Sequence, residues 1–143
     1  MKFRFEKVED KEEIVAYGKE KTKLINLIET LCFQEEHPLV GYSEGEIKEL
    51  NVLEIECFYT QKEKVYALID GEIYLIKKRL YELYESCKDT FTYINQGCLA
   101  NLKMVDHFEA SLGGSLLVVF KSGYKDYVSR RQLKNVKERM GIK

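Results

Sequence analysis

The stretch that decides the fold is FTYINQGCLAN, from Phe91 to Asn101. Its first four residues are rich in aromatic and β-branched side chains, which favours a strand. The polar Asn95-Gln96-Gly97 that follows predicts a turn. The chain returns as Cys98-Leu99-Ala100 and stops at Asn101, a residue type that tolerates turn geometry. We therefore predict two strands joined by a short polar turn, which would present its side chains to a partner.

Composition and charge set the broad class of the chain. Its 143 residues are 45% hydrophobic, and ten Tyr with seven Phe favour β-structure in one domain with a small appendage. Net charge is −1, but residues 1–44 hold 7 basic against 10 acidic side chains, while residues 119–143 hold 8 against 2. An acidic head and a basic tail indicate a nucleic-acid surface at one end, or simply a solvated basic helix at the C-terminus.

Several function classes find no support in the sequence. The four cysteines are widely spaced with no C-x-x-C, and only two histidines are present, so neither a zinc site nor a disulfide framework is indicated. We also find no glycine-rich phosphate loop and no nucleophile–histidine constellation. We predict no metal, no cofactor and no enzymatic activity. The longest purely apolar run, 116–120, is too short to span a membrane, and a cytoplasmic protein with reduced, buried thiols is expected.

The first 38 residues differ from the rest of the chain in their predicted secondary structure. Alternating apolar residues predict a strand over 2–8, a short apolar run ended by Gly18 predicts another over 14–17, and an apolar stripe predicts a helix over 19–33. Residues 34–38, which contain the single proline, are interpreted as a linker. We predict an N-terminal strand-strand-helix segment over 1–38 and a second domain over 39–143. The helical stripe could pack on that domain, on a second copy of the chain or on a partner protein.

From residue 39 onward, short apolar runs alternate with turn residues, which is typical of antiparallel β-structure. Hairpins are predicted around Glu44-Gly45, around the polar loop 60–64 and around Asp70-Gly71. A short helix is predicted over 78–87, and a final helix over 130–140 capped by Ser129 and closed by Gly141. The remaining predicted strands cover 51–58, 104–108, 115–120 and 124–128. The expected fold class is mostly β, α+β overall, with short helices.

The central stretch is similar to a known signature. The pattern F-x-R-x-H-R-S-x-[IV]-V-N-L is retained at Phe91, Leu99, Asn101 and Leu102, and by it the chain resembles the LytTR family of bacterial DNA-binding domains. The chain departs from the pattern with Tyr93 for Arg, Asn95 for His, Gln96-Gly97 for Arg-Ser and Ala100 for Val.

Four further segments resemble the family in the same order along the chain. They are Leu53-Glu-Ile-Glu56, the hairpin 65–74, Leu80-Tyr-Glu-Leu83 and Tyr127-Val-Ser-Arg-Arg131, and the resemblance covers about residues 39–143. It implies an elongated, mostly antiparallel β-fold that inserts loops, rather than a recognition helix, into successive major grooves. It also implies three contact points on this chain: the loop at 62–64, the turn at 95–96 and the segment 129–131.

Side-chain chemistry suggests a role for each residue at these contact points. Arg131 is the preferred reader of guanine, with Arg130 on phosphate or an internal carboxylate, and Gln96 either contacts adenine or is a plain turn residue. Lys62 and Lys64 contact phosphate or remain a solvated hairpin tip, and Lys134 could add a backbone contact. The full set of predicted DNA-binding residues is Arg131, Arg130, Gln96, Asn95, Ser129, Lys62, Lys64, Tyr93 and Lys134.

The resemblance also bears on the kind of regulator. Many proteins with this domain carry a receiver domain first, and 38 residues are too few for one, so the chain resembles the small stand-alone regulators. Such regulators bind paired direct repeats of double-stranded DNA as two copies, and a companion membrane protein often sequesters them. The competing interpretation is a β-rich sensor or protein-interaction module that does not bind DNA, which the near-neutral charge and the changes at 93–97 favour.

Overall fold

The computed structural model describes residues 1–142 and builds most of them into two antiparallel sheets with three α-helices. The helices are α1 (Lys23–Glu36), α2 (Leu80–Cys87) and α3 (Arg130–Met140). The strands are β1 (Leu39–Ser43), β2 (Glu46–Leu50), β3 (Cys57–Gln61), β4 (Lys64–Ile69), β5 (Glu72–Ile76), β6 (Phe91–Asn95), β7 (Cys98–Asn101), β8 (Val105–Ala110), β9 (Leu116–Phe120) and β10 (Lys125–Val128). The predicted fold class, mostly β with antiparallel sheets and short helices, is confirmed.

The larger sheet has seven strands in the order β2-β1-β5-β4-β3-β7-β6, and the smaller has three in the order β10-β9-β8. The central stretch of the sequence forms the β6–β7 hairpin at one edge of the larger sheet, with Phe91 opposite Asn101. β7 pairs with β3, where Phe58 lies opposite Leu99. This pairing brings the hairpin beside the β3–β4 hairpin, about 40 residues earlier in the chain.

Two hydrophobic cores lie on opposite faces of the larger sheet. One contains Phe58, Phe91 and Leu99 with the inner side of α2. The other contains Cys57 and Ile94 with residues of the smaller sheet and of α3. Successive side chains of a strand point to opposite faces, so the neighbours Cys57 and Phe58 enter different cores. Strands β3, β6 and β7 therefore contribute side chains to both cores.

The predicted strand over 51–58 is only partly correct. Residues Val52–Glu54 form a 3-10 turn, and the strand begins at Cys57. The Asn51 side chain accepts a hydrogen bond from the Leu53 backbone N–H at 3.1 Å, which stabilises the turn over an extended start. Asn101 does the same for the 3-10 turn that begins at Leu102, through the Lys103 N–H at 3.1 Å.

Glu56 connects the two sheets from a buried position. Its side chain is 1% exposed, and its carboxylate accepts hydrogen bonds from the Ser122 N–H at 2.8 Å and the Ser122 hydroxyl at 2.5 Å. Ser122 lies in the turn between β9 and β10. A carboxylate in the interior needs such donors because its desolvation is costly. The larger sheet therefore holds the β9–β10 hairpin by a specific polar contact as well as by apolar packing.

The two strands predicted in the head are wrong. Residues 1–22 form no helix or strand, and their apolar side chains remain in solvent, with Phe3 89% and Tyr17 93% exposed. Two of their ion pairs lie within the segment, such as Arg4 with Glu6, and the third joins Lys21 to Glu29 of α1. An extended segment forms a strand only where a neighbouring strand takes up its backbone hydrogen bonds, and no segment of residues 1–142 does so here. The alternating pattern is present, but its partner strand is not.

Helix α1 is shifted relative to the prediction of 19–33. It begins after Thr22, whose hydroxyl accepts a hydrogen bond from the Ile25 N–H at 3.3 Å, and it continues to Glu36, just before Pro38. It contacts the main domain through buried Thr30 and through Gln34, which accepts a hydrogen bond from the Val52 N–H at 3.1 Å. Leu24, Leu31 and Phe33 remain more than 40% exposed, so the apolar stripe is only partly covered.

Candidate nucleic-acid interface

The turn between β6 and β7 is fixed by the Asn95 side chain. Asn95 is 4% exposed, and its amide nitrogen donates to the Tyr127 carbonyl at 2.8 Å and to the Asp126 carboxylate at 3.1 Å. Its amide oxygen accepts from the Gly97 N–H at 2.9 Å, closing the turn. Gln96, between them, is exposed. The turn therefore presents Gln96 to solvent while Asn95 holds it against β10.

The β3–β4 hairpin lies next to this turn. The Thr60 N–H donates to the Gly97 carbonyl at 2.9 Å, which joins the end of β3 to the start of β7. The tip is formed by Lys62 and Glu63, both in the left-handed backbone region with φ of 51° and 66°. This geometry turns the chain within two residues, and Lys62 and Lys64 are both exposed. The two predicted contact points at 62–64 and 96 therefore lie at neighbouring hairpin ends, which the Thr60–Gly97 hydrogen bond joins.

The junction between β10 and α3 forms the third part of the cluster. The Ser129 N–H donates to the Ile94 carbonyl at 2.8 Å, so α3 begins beside the end of β6. Ser129 stands at the N-cap position, but its hydroxyl makes no capping hydrogen bond, so its side chain does not cap the helix as predicted. Arg130, Arg131 and Lys134 are exposed in the first turns of the helix.

The far end of α3 is anchored to the start of β6. Arg139 donates to the Phe91 carbonyl at 3.0 Å and to the Asp89 carbonyl at 3.1 Å, and Asn135 donates to the Thr92 hydroxyl at 2.8 Å. Arg139, one of the basic residues near the C-terminus, therefore stabilises the fold. Because α3 is held along β6 at both ends, its first turn has a defined position beside the 95–97 turn.

The structure brings most of the predicted site residues to one end of the larger sheet. That end carries Gln96, Lys62, Lys64, Ser129, Arg130 and Arg131, and the hydrogen bonds of Asn95, Thr60 and Ser129 connect the segments. Tyr93 differs, because its ring is half-buried and packs against Tyr84 of α2 at 5.0 Å between ring centroids. Burial and the neighbouring Tyr84 raise the pKa of Tyr93, so its phenol is neutral at physiological pH.

Two features of this end escaped the sequence interpretation. Asp126 accepts hydrogen bonds from Asn95 and from the Tyr127 N–H at 2.8 Å, a role that only the tertiary pairing reveals. The cations Lys77, Lys78 and Arg79, between β5 and α2, line a groove beside Lys64. The sequence pattern that could have indicated this groove is the run of three consecutive basic residues between a strand and a helix. Within residues 1–142, no group of acidic, cysteine or histidine side chains is arranged to hold a metal ion.

The thiol nearest the contact turn is buried. Cys98 and Cys57 belong to the paired strands β7 and β3 and have no exposed surface. The hydrogen bond to Cys57, together with burial, raises the pKa of Cys98 well above the ordinary thiol range. Burial alone raises the pKa of Cys87 to about 12. Cys57, Cys87 and Cys98 are buried free thiols, as predicted, whereas Cys32 on α1 is only half-buried.

Fold and loop cluster together define a β-rich domain whose presented surface is built from hairpin tips and a helix start at one end of a sheet. Comparison with family models then gives the family. The model described as the LytTr DNA-binding domain matches residues 45–141. The match covers well over half of the chain, and the chain belongs to the LytTR family of DNA-binding domains. The resemblance on the motifs is thereby confirmed.

Solved and curated proteins agree with this assignment. The LytTr DNA-binding domain of a Bacillus cereus protein described as a methyl-accepting/DNA response regulator has the same fold, with a TM-score of 0.66, 14% identity, and coverage of 73% of this chain and 98% of that domain. An uncharacterized HTH-type transcriptional regulator of Staphylococcus aureus strain NCTC 8325 is 30% identical over 80 residues, and that of strain bovine RF122 is 29% identical.

The match to these curated relatives is partial. The chain spans about half the length of the curated relatives it matches, 54% of each, and the matched part is 56% of this chain. These relatives are named as helix-turn-helix regulators, whereas the three helices described in this chain are separated from one another by strands. No helix within residues 1–142 is long and apolar enough to cross a membrane.

Proposed function

We propose that this chain is a sequence-specific transcriptional regulator that inserts the loops at one end of its larger sheet into successive major grooves of DNA. The observation that carries the proposal is the hydrogen-bonded cluster of Gln96, the 62–64 tip and the 129–131 segment in a chain of the LytTR family. Loops that internal hydrogen bonds already hold in place lose less conformational entropy when they bind DNA.

The proposed roles follow from exposure and chemistry. Arg131 reads a guanine through its two-pronged guanidinium, and Gln96 reads an adenine through its amide. Arg130, Lys62, Lys64 and Lys134 neutralise phosphates, and Ser129 contributes its hydroxyl. Each of these side chains is exposed except that of Ser129, which is half-buried.

Asn95 and Tyr93 take a different place in the proposal. The amide of Asn95 is engaged in three internal hydrogen bonds, and the ring of Tyr93 packs on α2, so neither offers much free surface to DNA. We assign both as positioning residues that aim Gln96 and the start of α3. The sequence predicts both as DNA-binding residues, but contact of the Asn95 amide with DNA would require its internal hydrogen bonds to break.

The test is a fluorescence anisotropy titration of the full chain on duplex DNA from its own upstream region, with a scrambled duplex as competitor. Arg131→Ala is expected to weaken specific binding by about 1–3 kcal/mol while leaving binding to the scrambled duplex nearly unchanged. Lys103→Ala is the matched control, because this exposed cation lies in the 3-10 turn that follows β7, at the opposite end of that strand from the 95–97 turn. Equal losses on both duplexes would assign Arg131 to phosphate, and no binding by folded protein would support the alternative of a protein-interaction module.

We further propose that the head joins two copies of the chain, which would then occupy paired direct repeats. Support comes from the uncovered apolar side chains of the head, including Phe3 and Phe5, and from the half-exposed stripe of α1. Apolar surface of this kind is typical of interaction sites. A companion membrane protein could cover the same surface and so withhold the regulator from DNA.

Light scattering after size exclusion tests the homodimer. The full chain should elute as a dimer and the Phe3→Ser/Phe5→Ser variant as a monomer, because the variant removes apolar area from the head without touching the folded domain. The control is Lys2→Ser/Arg4→Ser, which changes the intervening polar positions. A wild-type monomer would reject self-association and direct attention to the companion protein.

A further inference from the structure

The groove between the β3–β4 tip and α2 is strongly basic. Six charged residues line it, of which four are cationic: Lys64, Lys77, Lys78, Arg79, Glu63 and Glu82. Lys62 adds a fifth cation at the adjoining tip. This concentration stands out in a chain whose net charge is −1. A clustered basic surface is the electrostatic footprint of a polyanion partner.

The cations of this groove are free to meet a ligand. Within residues 1–142, none of Lys64, Lys77, Lys78 and Arg79 has a carboxylate within ion-pairing distance. The Lys77 ammonium lies 4.3 Å from the centre of the Tyr42 ring, and this cation–π contact holds its side chain at the sheet end. The Glu82 carboxylate is turned toward the start of α2, where it accepts from the Arg79 N–H at 3.4 Å.

Sheet order places the groove on the same edge as the proposed base-reading loops. β5 ends at Ile76, which pairs with Val65 at the start of β4, so Lys77 follows directly beside Lys64. The strands from β6 to β5 run in the order β6-β7-β3-β4-β5. Four strand spacings of about 4.8 Å put the groove about 19 Å from the β6 end, or about six base pairs along a duplex.

We propose that Lys64, Lys77, Lys78 and Arg79 form a second, phosphate-binding surface that grips the DNA backbone on one side of the bases contacted by Gln96 and Arg131. This inference rests on the proposed function. The surface fixes register and adds affinity without reading sequence, since phosphate contacts carry no base information. An acidic protein partner would fit the same charges less well, because the groove is continuous with the loop cluster that the DNA would already touch.

The experiment measures how affinity depends on salt. Full-length wild type, Lys77→Gln/Lys78→Gln and the control Lys88→Gln/Lys103→Gln are titrated on one duplex of about three helical turns at about 50 to 200 mM salt. Both variants remove two exposed cations, so they change net charge equally. Lys88 lies at the other end of α2, which makes the comparison local.

We expect the slope of log affinity against log salt concentration to be less negative by about 1.8 for Lys77→Gln/Lys78→Gln and unchanged for the control. The reason is that each lost phosphate contact reduces the magnitude of the slope by about 0.9. Preference for the specific over the scrambled duplex should be retained. Unchanged slopes, or equal reductions in both variants, would overturn the inference while leaving the proposed function standing. Failure of the wild type to bind any duplex would reject both, and circular dichroism confirms that each variant is folded.

Wild type and Lys77→Gln/Lys78→Gln are also titrated on duplexes shortened from either end. If the groove binds flanking backbone, leaving fewer than about six base pairs beyond the bases contacted by Gln96 and Arg131 at one end should weaken binding by wild type and not by the variant. Trimming the other end should affect both proteins equally. Equal sensitivity of both proteins at both ends would contradict a one-sided backbone contact.

Discussion

At the residue scale, Asn95 holds the loop cluster together although it stands where the LytTR pattern has a histidine. It is buried, and each of its two polar side-chain atoms has a partner: Gly97 within the turn, and Asp126 and Tyr127 on β10. A buried polar group that loses its partner costs more than the hydrogen bond contributes. The residue therefore matters for stability and for the aim of Gln96 together.

Asn95→Asp should lower the free energy of unfolding by about 1–3 kcal/mol at neutral pH, because it removes two donors and faces Asp126 with a second carboxylate. Protonation of one of the two carboxyls restores a donor and removes the repulsion between them. The destabilisation should therefore be larger at neutral pH than at acid pH. Urea unfolding at pH 7 and pH 4.5 measures this. Gln96→Ala, exposed next to it, should leave stability unchanged, and a pH-independent loss would argue against the carboxylate pair.

At the element scale, the β1–β2 hairpin depends on close packing at Gly41. A Cβ at this position would lie 2.6 Å from Leu50 Cδ1 and 2.8 Å from Tyr74 Cβ. The leucine terminus can move, but the tyrosine Cβ is fixed by the backbone of β5. The glycine therefore allows β1 to approach both neighbours, and this side of the larger sheet closes only because the position has no side chain.

Gly41→Ala should destabilise the domain by about 1–3 kcal/mol, the usual cost of overpacking. Thermal unfolding followed by circular dichroism measures the change. Gly113→Ala is the matched control, because its nearest neighbour would be an ordinary 3.9 Å away. Similar melting temperatures for wild type and Gly41→Ala would show that β5 moves to accommodate the methyl group.

At the scale of the whole molecule, the two cores are joined by the strands between them. β3, β6 and β7 contribute side chains to both cores, with Cys57 and Ile94 on one face and Phe58 and Phe91 on the other. Glu56 adds the polar contact to the turn at Ser122. If either core unfolded, one face of these shared strands would be exposed to water. We therefore infer that the two cores unfold together.

We therefore expect one cooperative unfolding transition. Far-ultraviolet circular dichroism reports the backbone, and tyrosine fluorescence includes the signal of the stacked Tyr59 and Tyr124 rings. Both should give the same urea midpoint. Residues 1–22 should not contribute to the change in circular dichroism, because they form no helix or strand. Midpoints that differ by more than the fitting error would show that the smaller sheet unfolds separately.

Local patterns in the sequence were enough to specify the β-rich domain and most of its hairpins. The turns at Asp70-Gly71 and Asn95-Gly97 follow from residue types with special backbone freedom, and Gly141 ends α3 with φ of 70° as predicted. The predictions that failed have two causes. The head strands would have required a distant strand to pair with, whereas β3 begins later than predicted because the nearby Asn51 side chain stabilises a 3-10 turn.

The sequence by itself determined the fold class, the family and the chemical types of the candidate contact residues, because strand alternation, turn residues and ordered motifs are local properties. Only the tertiary structure decided which of those residues share a surface. Strand order placed Gln96, the 62–64 tip and Arg131 at one sheet end and added Lys77 to Arg79 beside them. It also turned Asn95 inward, because hydrogen bonds to β10 connect residues more than 30 positions apart.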